Sequence, residues 1–245
     1  MPDQSRFMLV VSPLMENSPA FDRAAALAKA SGAALHIVAF DYLEGLATAA
    51  MVNEQALEQM RLGYVERHRQ WLEDQARPLR KIGVHVTTEV VWVERPLQEI
   101  LIHLKEQPMA VLIKALEHES LLSRLMFTPL DIHLLRECPV PLHFVSHLHN
   151  ALPRKIVAAV DPFHSDEQYE DFNDRILREA SKLASTCNAE LDVIYAHDLS
   201  SISADEFGFS NGSAFFSSGK AKTLFEAQAD AFRELSERNG IPPEH

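Results

Sequence analysis

The feature of this sequence that most constrains its fold is an internal duplication. Residues 155–162, KIVAAVDP, repeat the pattern of residues 6–13, RFMLVVSP, in which an apolar run is followed by a proline. The helix-like and strand-like segments after each run also return in the same order. Because the two copies are offset by about 150 residues, the chain is predicted to contain two related domains, at residues 1–150 and 151–245.

Within the first copy, strand-like and helix-like segments alternate. Apolar or β-branched runs, typical of strands buried on both faces, occur at residues 7–11, 35–40, 84–93, 109–113 and 141–145. Helix-like segments separate them, at residues 19–30, 53–81, 96–105 and 129–137. This alternation predicts a five-stranded, parallel, doubly wound α/β sheet. In such sheets ligands bind at the carboxyl ends of the strands, where the strand order reverses.

The second copy is shorter than the first. It repeats two strands and two helices, at residues 155–162, 173–187, 191–196 and 220–239, and stops at His245. About 60 residues that the duplication predicts are not in the sequence. We therefore expect an incomplete second domain, in a chain that is a fragment or a cleavage product. The alternative is a homodimer or swapped assembly, in which a partner covers the open edges of the second sheet.

The charge and the cysteine content restrict the class of protein. The formal net charge is -12, and the basic residues of segment 61–81 alternate with acidic ones, which argues against a nucleic-acid partner. The apolar run ending at Val11 is too short to span a membrane, and no signal-like segment surrounds it. The 2 cysteines, Cys138 and Cys187, are far apart, which is typical of a reducing compartment. We expect a cytoplasmic protein.

Two segments of the first copy carry a resemblance to a known family. They are FTPLDIHLLRECPVP at residues 127–141, and VVW at residues 90–92 with Arg95 and Pro96. The sequence resembles the universal stress protein family, and especially its tandem-domain members from Gram-negative bacteria. The resemblance implies tandem Rossmann-like (HUP) α/β domains with five-stranded parallel sheets. It also implies a non-enzymatic role in the bacterial stress response.

The same resemblance identifies where a nucleotide would bind. Nucleotide-binding members carry a motif of three glycines and a Ser or Thr after the fourth strand, so that backbone N–H groups approach the phosphates closely. At that spacing this sequence has Lys114, Glu117 and Phe127 in place of the three glycines. Thr128 keeps the hydroxyl group at the Ser or Thr position. Ser12 stands where ATP-binding members carry an acidic residue. The first copy is therefore predicted to have a degenerate nucleotide site and not to bind ATP.

In the second copy, Asp161 occupies the acidic position. An Asp before Pro162 is also a common turn former, so its role stays open. The alternative function is accordingly an ATP-binding stress switch, with or without slow hydrolysis, whose site lies in the second domain.

No arrangement of residues predicts an enzyme, a metal centre or a cofactor. His143, His147 and His149 lie close together, but no Cys, Asp or Glu joins them at ligand spacing. Asp131 and His133 are two residues apart on a predicted helix, which points them to different faces. We therefore predict no catalytic residue and no bound metal.

The leading hypothesis is a protein that acts by binding. We expect it to bind either an apolar or anionic small molecule, whose identity the sequence does not give, or a protein partner. The crevice between the first and fourth strands would place Ser12, Phe40, Lys114 and Thr128 around a small molecule.

Overall fold

The computed structural model describes residues 5–41, 54–116, 130–146, 150–162, 171–195 and 219–242. The chain divides into two compact units, Met1–Leu152 and Pro153–His245, here called unit 1 and unit 2.

Unit 1 contains a five-stranded parallel sheet with helices between the strands. Its strands are β1 (Arg6–Val11), β2 (Ala34–Asp41), β3 (Val86–Trp92), β4 (Val111–Ala115) and β5 (Leu142–Val145). Its described helices are α1 (Pro19–Ser31), α2 (Glu54–Lys81), α3 (Pro96–Glu106) and α4 (Leu130–Glu137). The sheet order is β3-β2-β1-β4-β5, and every neighbouring pair is parallel. The predicted α/β fold is confirmed, and the strand order reverses between β1 and β4.

The central strands are apolar because both of their faces are covered. All eight residues of β2 are buried, as are the last four of β1. On one face, Met8, Val38 and Phe40 pack with Ile100 and Leu104 of α3. This packing holds β1 and β2 against α3.

The end of α1 shows how the sequence turns the chain back into the sheet. Gly32 adopts a left-handed φ of 68°, and Ala33 N–H donates to Ala28 O at 2.9 Å. This arrangement satisfies carbonyl groups of the last helical turn. The chain then enters β2 directly.

Helix α2 is long and strongly charged on its exposed side. Arg69 lies 2.9 Å from Glu66, and Arg77 lies 2.7 Å from Asp74, each pair three residues apart. The acidic and basic residues that alternate along segment 61–81 therefore form ion pairs on the surface of this helix. In the part of the chain that the structure describes, no helix combines the length and apolar character needed to cross a membrane.

The boundaries of β4 differ from those predicted. The sequence predicted a strand over residues 109–113, ending before the lysine, whereas β4 spans Val111–Ala115. Lys114 is aligned with Val10 of β1 on one side and Phe144 of β5 on the other. It therefore belongs to the strand, and an ion pair described below explains how a charged side chain is accommodated there.

Unit 2 is described by two strands and two helices. They are β6 (Lys155–Ala159), α5 (Phe172–Cys187), β7 (Glu190–Ile194) and α6 (Gly219–Arg238), and β6 pairs with β7 in parallel. A small core forms from Ala158, Leu177, Val193 and Leu235, among others. Asn188 ends α5 with a φ of 51°, as Gly32 ends α1.

Candidate functional site

A cavity of about 550 Å³ lies at the carboxyl edge of the sheet of unit 1. It opens beside β1 and β4, the two strands between which the strand order reverses. Its described lining residues come from the strand ends and from the segments that follow them: Val10, Val11, Pro13, Phe40, Asp41, Glu94, Pro96, Ile100, Lys114 and Leu130.

A buried ion pair occupies one side of this cavity. The Nζ atom of Lys114 lies 3.0 Å from a carboxylate oxygen of Asp131, which is in the first turn of α4. The same ammonium group donates to the carbonyl oxygen of Ala115 at 3.1 Å. Lys114 is only 5% exposed. Its charge is therefore balanced within the protein, which makes it a poor partner for an incoming anion.

Two further acidic residues line the cavity. Asp41 is the last residue of β2 and is buried, while Glu94 follows β3 and is exposed. The carbonyl oxygen of Asp41 accepts a hydrogen bond from the N–H of Val93 at 2.8 Å, which fixes the segment that leads to Glu94. The two acidic residues thus approach from neighbouring strands.

The predicted crevice residues have different positions. Phe40 and Lys114 both line the cavity. Ser12 is not among the described lining residues; its hydroxyl oxygen accepts a hydrogen bond from Leu14 N–H at 3.4 Å. Thr128 lies outside the described residues, as do Glu117 and Phe127. The roles predicted for Ser12 and Thr128 stay predictions.

In unit 2, the backbone of Asp161, the residue predicted for the alternative nucleotide site, forms two hydrogen bonds with the side chain of Asn173. Asp161 N–H donates to the side-chain oxygen of Asn173 at 3.1 Å, and the Asn173 amide donates to Asp161 O at 2.7 Å. Asn173 lies in the first turn of α5, so this clamp fixes the connection between β6 and that helix. The nucleotide role of Asp161 stays a prediction.

A cluster of polar residues around Glu89 was not predicted from the sequence. His36 Nε2 lies 3.1 Å from one oxygen of Glu89, and His103 Nε2 lies 3.6 Å from the other. His36 Nδ1 is 2.8 Å from the hydroxyl of Thr87, and the ring of His103 meets Phe40 edge-on at 5.1 Å. Burial lowers the pKa of His36, although Glu89 opposes this effect. The only signal was a histidine within an apolar strand.

The other chemistry-bearing residues do not assemble into a reactive group. Burial lowers the pKa of His143 to about 4 and raises the pKa of the Cys138 thiol. Asp131 pairs with Lys114, whereas His133 lies 3.4 Å from Glu137. His147 and His149 lie outside the described residues. Among the residues that are described, no three His, Cys, Asp or Glu side chains form a potential metal site.

Comparison with known proteins supports the fold. The model of the universal stress protein family matches residues 6–146. A putative universal stress protein from Pseudomonas aeruginosa UCBPP-PA14 superimposes with a TM-score of 0.67 at 22% identity, covering 99% of this chain and 72% of its own. A universal stress protein from Archaeoglobus fulgidus superimposes with a TM-score of 0.59 at 17% identity, covering 84% of this chain and 73% of its own.

Curated relatives extend the similarity beyond unit 1. Universal stress protein E of Escherichia coli (strain K12) is 25% identical over 198 residues, which are 80% of this chain and 62% of the relative. The protein of the same name from Photorhabdus laumondii is 25% identical over 199 residues, 80% of this chain and 63% of the relative. The matches thus span less than two thirds of these relatives. Since the family model covers more than half of the sequence, this chain belongs to the universal stress protein family.

Proposed function

We propose that this chain is a non-enzymatic, cytoplasmic stress-response protein that acts by binding a small molecule in the cavity of unit 1. The ligand has an apolar body and is not ATP. The observation that carries this proposal is the buried pair between Lys114 and Asp131, 3.0 Å apart, at the side of a mainly apolar cavity.

The composition of the cavity supports an apolar ligand. Seven of its ten described lining residues have aliphatic, aromatic or proline side chains. A volume of about 550 Å³ is within the range of cavities that enclose small organic ligands. An apolar ligand would therefore remove a large hydrophobic surface from water.

The charges argue against a triphosphate. The Lys114 ammonium group already has a carboxylate partner, and Asp41 and Glu94 add negative charge. At the positions where nucleotide-binding relatives use glycines, the sequence has Lys114, Glu117 and Phe127. A phosphate would gain few backbone donors there and would face carboxylates.

The described lining also supports a binding role without catalysis. It contains no hydroxyl, thiol or imidazole group that could serve as a nucleophile beside a base. We expect no phosphate release above background when the full chain is incubated with Mg²⁺ and ATP. Phosphate release by the wild type that is lost in the Lys114→Met variant would contradict the non-enzymatic assignment.

A binding experiment with indole, a neutral apolar probe, tests the proposed function. Leu130→Phe replaces a lining side chain of the cavity with a larger aromatic one. The control position is Leu135, which lies on the same helix, is 66% exposed and is not among the described lining residues. We expect calorimetry to show saturable binding that Leu130→Phe weakens about tenfold, a loss of about 1.4 kcal/mol. Leu135→Phe should leave binding unchanged. If both variants bind like the wild type, the ligand is not in this cavity.

We further propose that unit 2 belongs to a second domain of the universal stress protein type, with the boundary near residue 150. The parallel pairing of β6 with β7, the helix between them and the left-handed end of α5 all have counterparts in unit 1. Limited proteolysis should cleave first within residues 147–154, between β5 and β6, and leave the five strands of unit 1 in one fragment. Initial cleavage within β1 to β5 would contradict this division.

A further inference from the structure

We infer that His68 is a positioning residue for the cavity of unit 1, because it latches one wall of that cavity onto α2 in a way that can open and close. The wall is the segment 12–18 between β1 and α1, here called the strap. The effect on ligand binding rests on the proposed function, to which the latch adds a means of controlling access to the site.

The strap forms part of the cavity and contains a strained residue. Pro13 lines the cavity. Two positions later, Met15 has a φ of 55°, in the left-handed region that is unfavourable for a residue with a side chain. Leu14 lies between them and is 71% exposed, so its side chain packs against little of the protein. Such a segment changes conformation more easily than the buried strand that precedes it.

The latch is a hydrogen bond between α2 and the strap. The Nε2 atom of His68 lies 2.8 Å from the carbonyl oxygen of Pro13, 55 positions away in the sequence. His68 is 2% exposed, and its ring stacks on that of Tyr64 with 4.0 Å between the centroids. Because proline has no N–H group, its carbonyl oxygen is the backbone atom through which a donor can hold Pro13. The fixed imidazole ring therefore sets the position of this wall.

The second ring nitrogen makes the latch reversible. The Nδ1 atom of His68 lies 3.0 Å from the carbonyl oxygen of Tyr64, one turn earlier in α2. Both ring nitrogens thus face acceptors, whereas a neutral imidazole carries one N–H group. With the proton on Nε2, the ring donates to Pro13 and the strap is closed. With the proton on Nδ1, the ring donates within its own helix, and a lone pair faces the Pro13 carbonyl.

This choice of partners lowers the cost of opening the strap. A buried N–H group that loses its acceptor is costly, but here Tyr64 O takes the place of Pro13 O. When the strap opens, the Nε2 proton passes to water and another proton enters at Nδ1, so the ring stays neutral. The Pro13 carbonyl then bonds to water, and Met15 can leave its left-handed conformation. The open strap admits a ligand, and the closed strap completes the wall around it.

NMR of the full chain, with ¹⁵N in the histidine rings, tests the latch in the free protein. We expect the ring proton of His68 on Nε2, because the contact of that atom is the shorter of the two. This measurement needs no variant, so it does not depend on whether a substitution at a buried position folds.

Amide exchange in a variant then tests the effect of the latch on the strap. His68→Phe keeps a ring that can stack on Tyr64 and removes the donor. Exchange of the Leu14 and Met15 amides should become about three- to tenfold faster, as expected for the loss of one hydrogen bond. Exchange of the buried Ala24 and Ala25 amides of α1 should stay unchanged, which shows that the fold is intact.

Ligand affinity tests whether the latch positions the cavity wall. By calorimetry with indole, His68→Phe should weaken binding about three- to tenfold, because a smaller fraction of the protein has the closed strap. The matched variant is His68→Gln, whose side-chain amide can place a donor where Nε2 stands. It should restore most of the affinity and slow the exchange of the strap amides again. A role of His68 in packing alone would favour phenylalanine over glutamine.

The outcomes separate the latch from the proposed function. A ring proton on Nδ1, or equal exchange of the strap amides in the wild type and His68→Phe, would overturn the latch. Equal indole affinity in the wild type and both His68 variants, with binding still weakened by Leu130→Phe, would overturn its role in the cavity and leave the proposed function. If the wild type does not bind indole saturably, the proposed function fails, and the ring proton and the strap amides still decide the latch.

Discussion

The two sheets of this chain start from the same sequence pattern and differ in how deeply their strands are buried. In unit 1, β2 is buried along its whole length between β1 and β3. In unit 2, only one residue of β6 and one of β7 are buried. Met8 of β1 is completely buried, whereas Val157, its counterpart in the repeat, is 52% exposed.

The difference shows that an apolar run defines a strand but does not determine its environment. A strand is enclosed when it has neighbours on both edges and helices on both faces. The described part of unit 2 supplies one pairing, between β6 and β7. The same contrast applies to charges. The side chains of the unit 1 pair, Lys114 and Asp131, are 6% and 16% exposed, whereas those of the unit 2 pair, Lys155 and Asp192, are 54% and 33% exposed.

The largest expected effect comes from breaking the buried pair. Asp131→Ala removes the carboxylate that lies 3.0 Å from the buried ammonium group of Lys114, and should lower the free energy of unfolding of unit 1 by about 3–5 kcal/mol. Urea unfolding, with hydrogen exchange to assign the loss to unit 1, measures this effect. The matched change in unit 2, Asp192→Ala, should be far milder although its pair is 2.6 Å apart. Equal effects in the two units would contradict the contrast.

Removing a buried side chain should give the next largest effect. Met8→Ala creates a space in a closely packed core and should cost about 3 kcal/mol. Val157→Ala, at the matched position, should change the free energy of unfolding by less than about 0.5 kcal/mol. If Val157→Ala is as costly as Met8→Ala, β6 is covered in solution and the difference in burial is wrong.

Acid should affect unit 1 more than unit 2. The pKa of His143 is lowered to about 4 from 6.5, and that of His36 is also lowered. The unfolded chain therefore binds protons that the folded one does not, so stability present above pH 6.5 is lost as the pH falls towards 4. For His143 the loss is about 2–3 kcal/mol, since each pKa unit corresponds to about 1.4 kcal/mol. The described ranges of unit 2 contain no histidine.

Hydrogen exchange of the β1 and β6 amides at pH 7.5, 5.5 and 4.5 measures this difference. His143→Leu should remove much of the pH dependence of unit 1. The Glu73 carboxylate does not interfere with this measurement. Its hydrogen bonds with Arg80 and Thr88 lower its pKa from 4.5 to about 2, so the stability that it contributes is lost only at pH values below 4.5. A unit 1 sheet with the same protection at all three values would refute the expectation.

The smallest effect concerns the contacts that hold helices in place at the surface. Asp174 accepts hydrogen bonds from Arg238 at 2.7 Å and from Asn239 at 2.6 Å, which link the start of α5 to the end of α6. Asp174→Ala should cost about 1 kcal/mol and loosen α6 alone. Faster amide exchange confined to α6 would support this expectation, whereas faster exchange in α2 would contradict it.

The sequence predicted the sheet of unit 1 well because its apolar runs are unambiguous. Its error at β4 arose at Lys114, where a charged residue interrupts the apolar run and suggests that the strand ends. The strand continues because Asp131, 17 positions later in the sequence, supplies a carboxylate at 3.0 Å. Local pattern contains no information about such a partner.

The site was less predictable for the same physical reason. Phe40 and Lys114 followed from the expectation that ligands bind at the carboxyl edge of the sheet. Asp41 and Glu94 were not recognised as site residues from the sequence. The register of β2 with β3 and the turn into α3 bring them to one cavity, and neither is visible in the local sequence pattern. The cluster around Glu89 depends in the same way on two strands and a helix packing together.

The central claim is that the charge of Lys114 is already balanced, so that the cavity of unit 1 does not hold ATP. Equilibrium dialysis of Mg²⁺ and ATP against the full chain, Lys114→Met and Asp161→Ala tests it most directly. We predict that Lys114→Met does not lower ATP binding, because the cavity of unit 1 holds no ATP. If the wild type binds ATP and only Asp161→Ala abolishes this binding, the ATP site lies in unit 2. Saturable binding by the wild type that is lost in Lys114→Met would contradict the account.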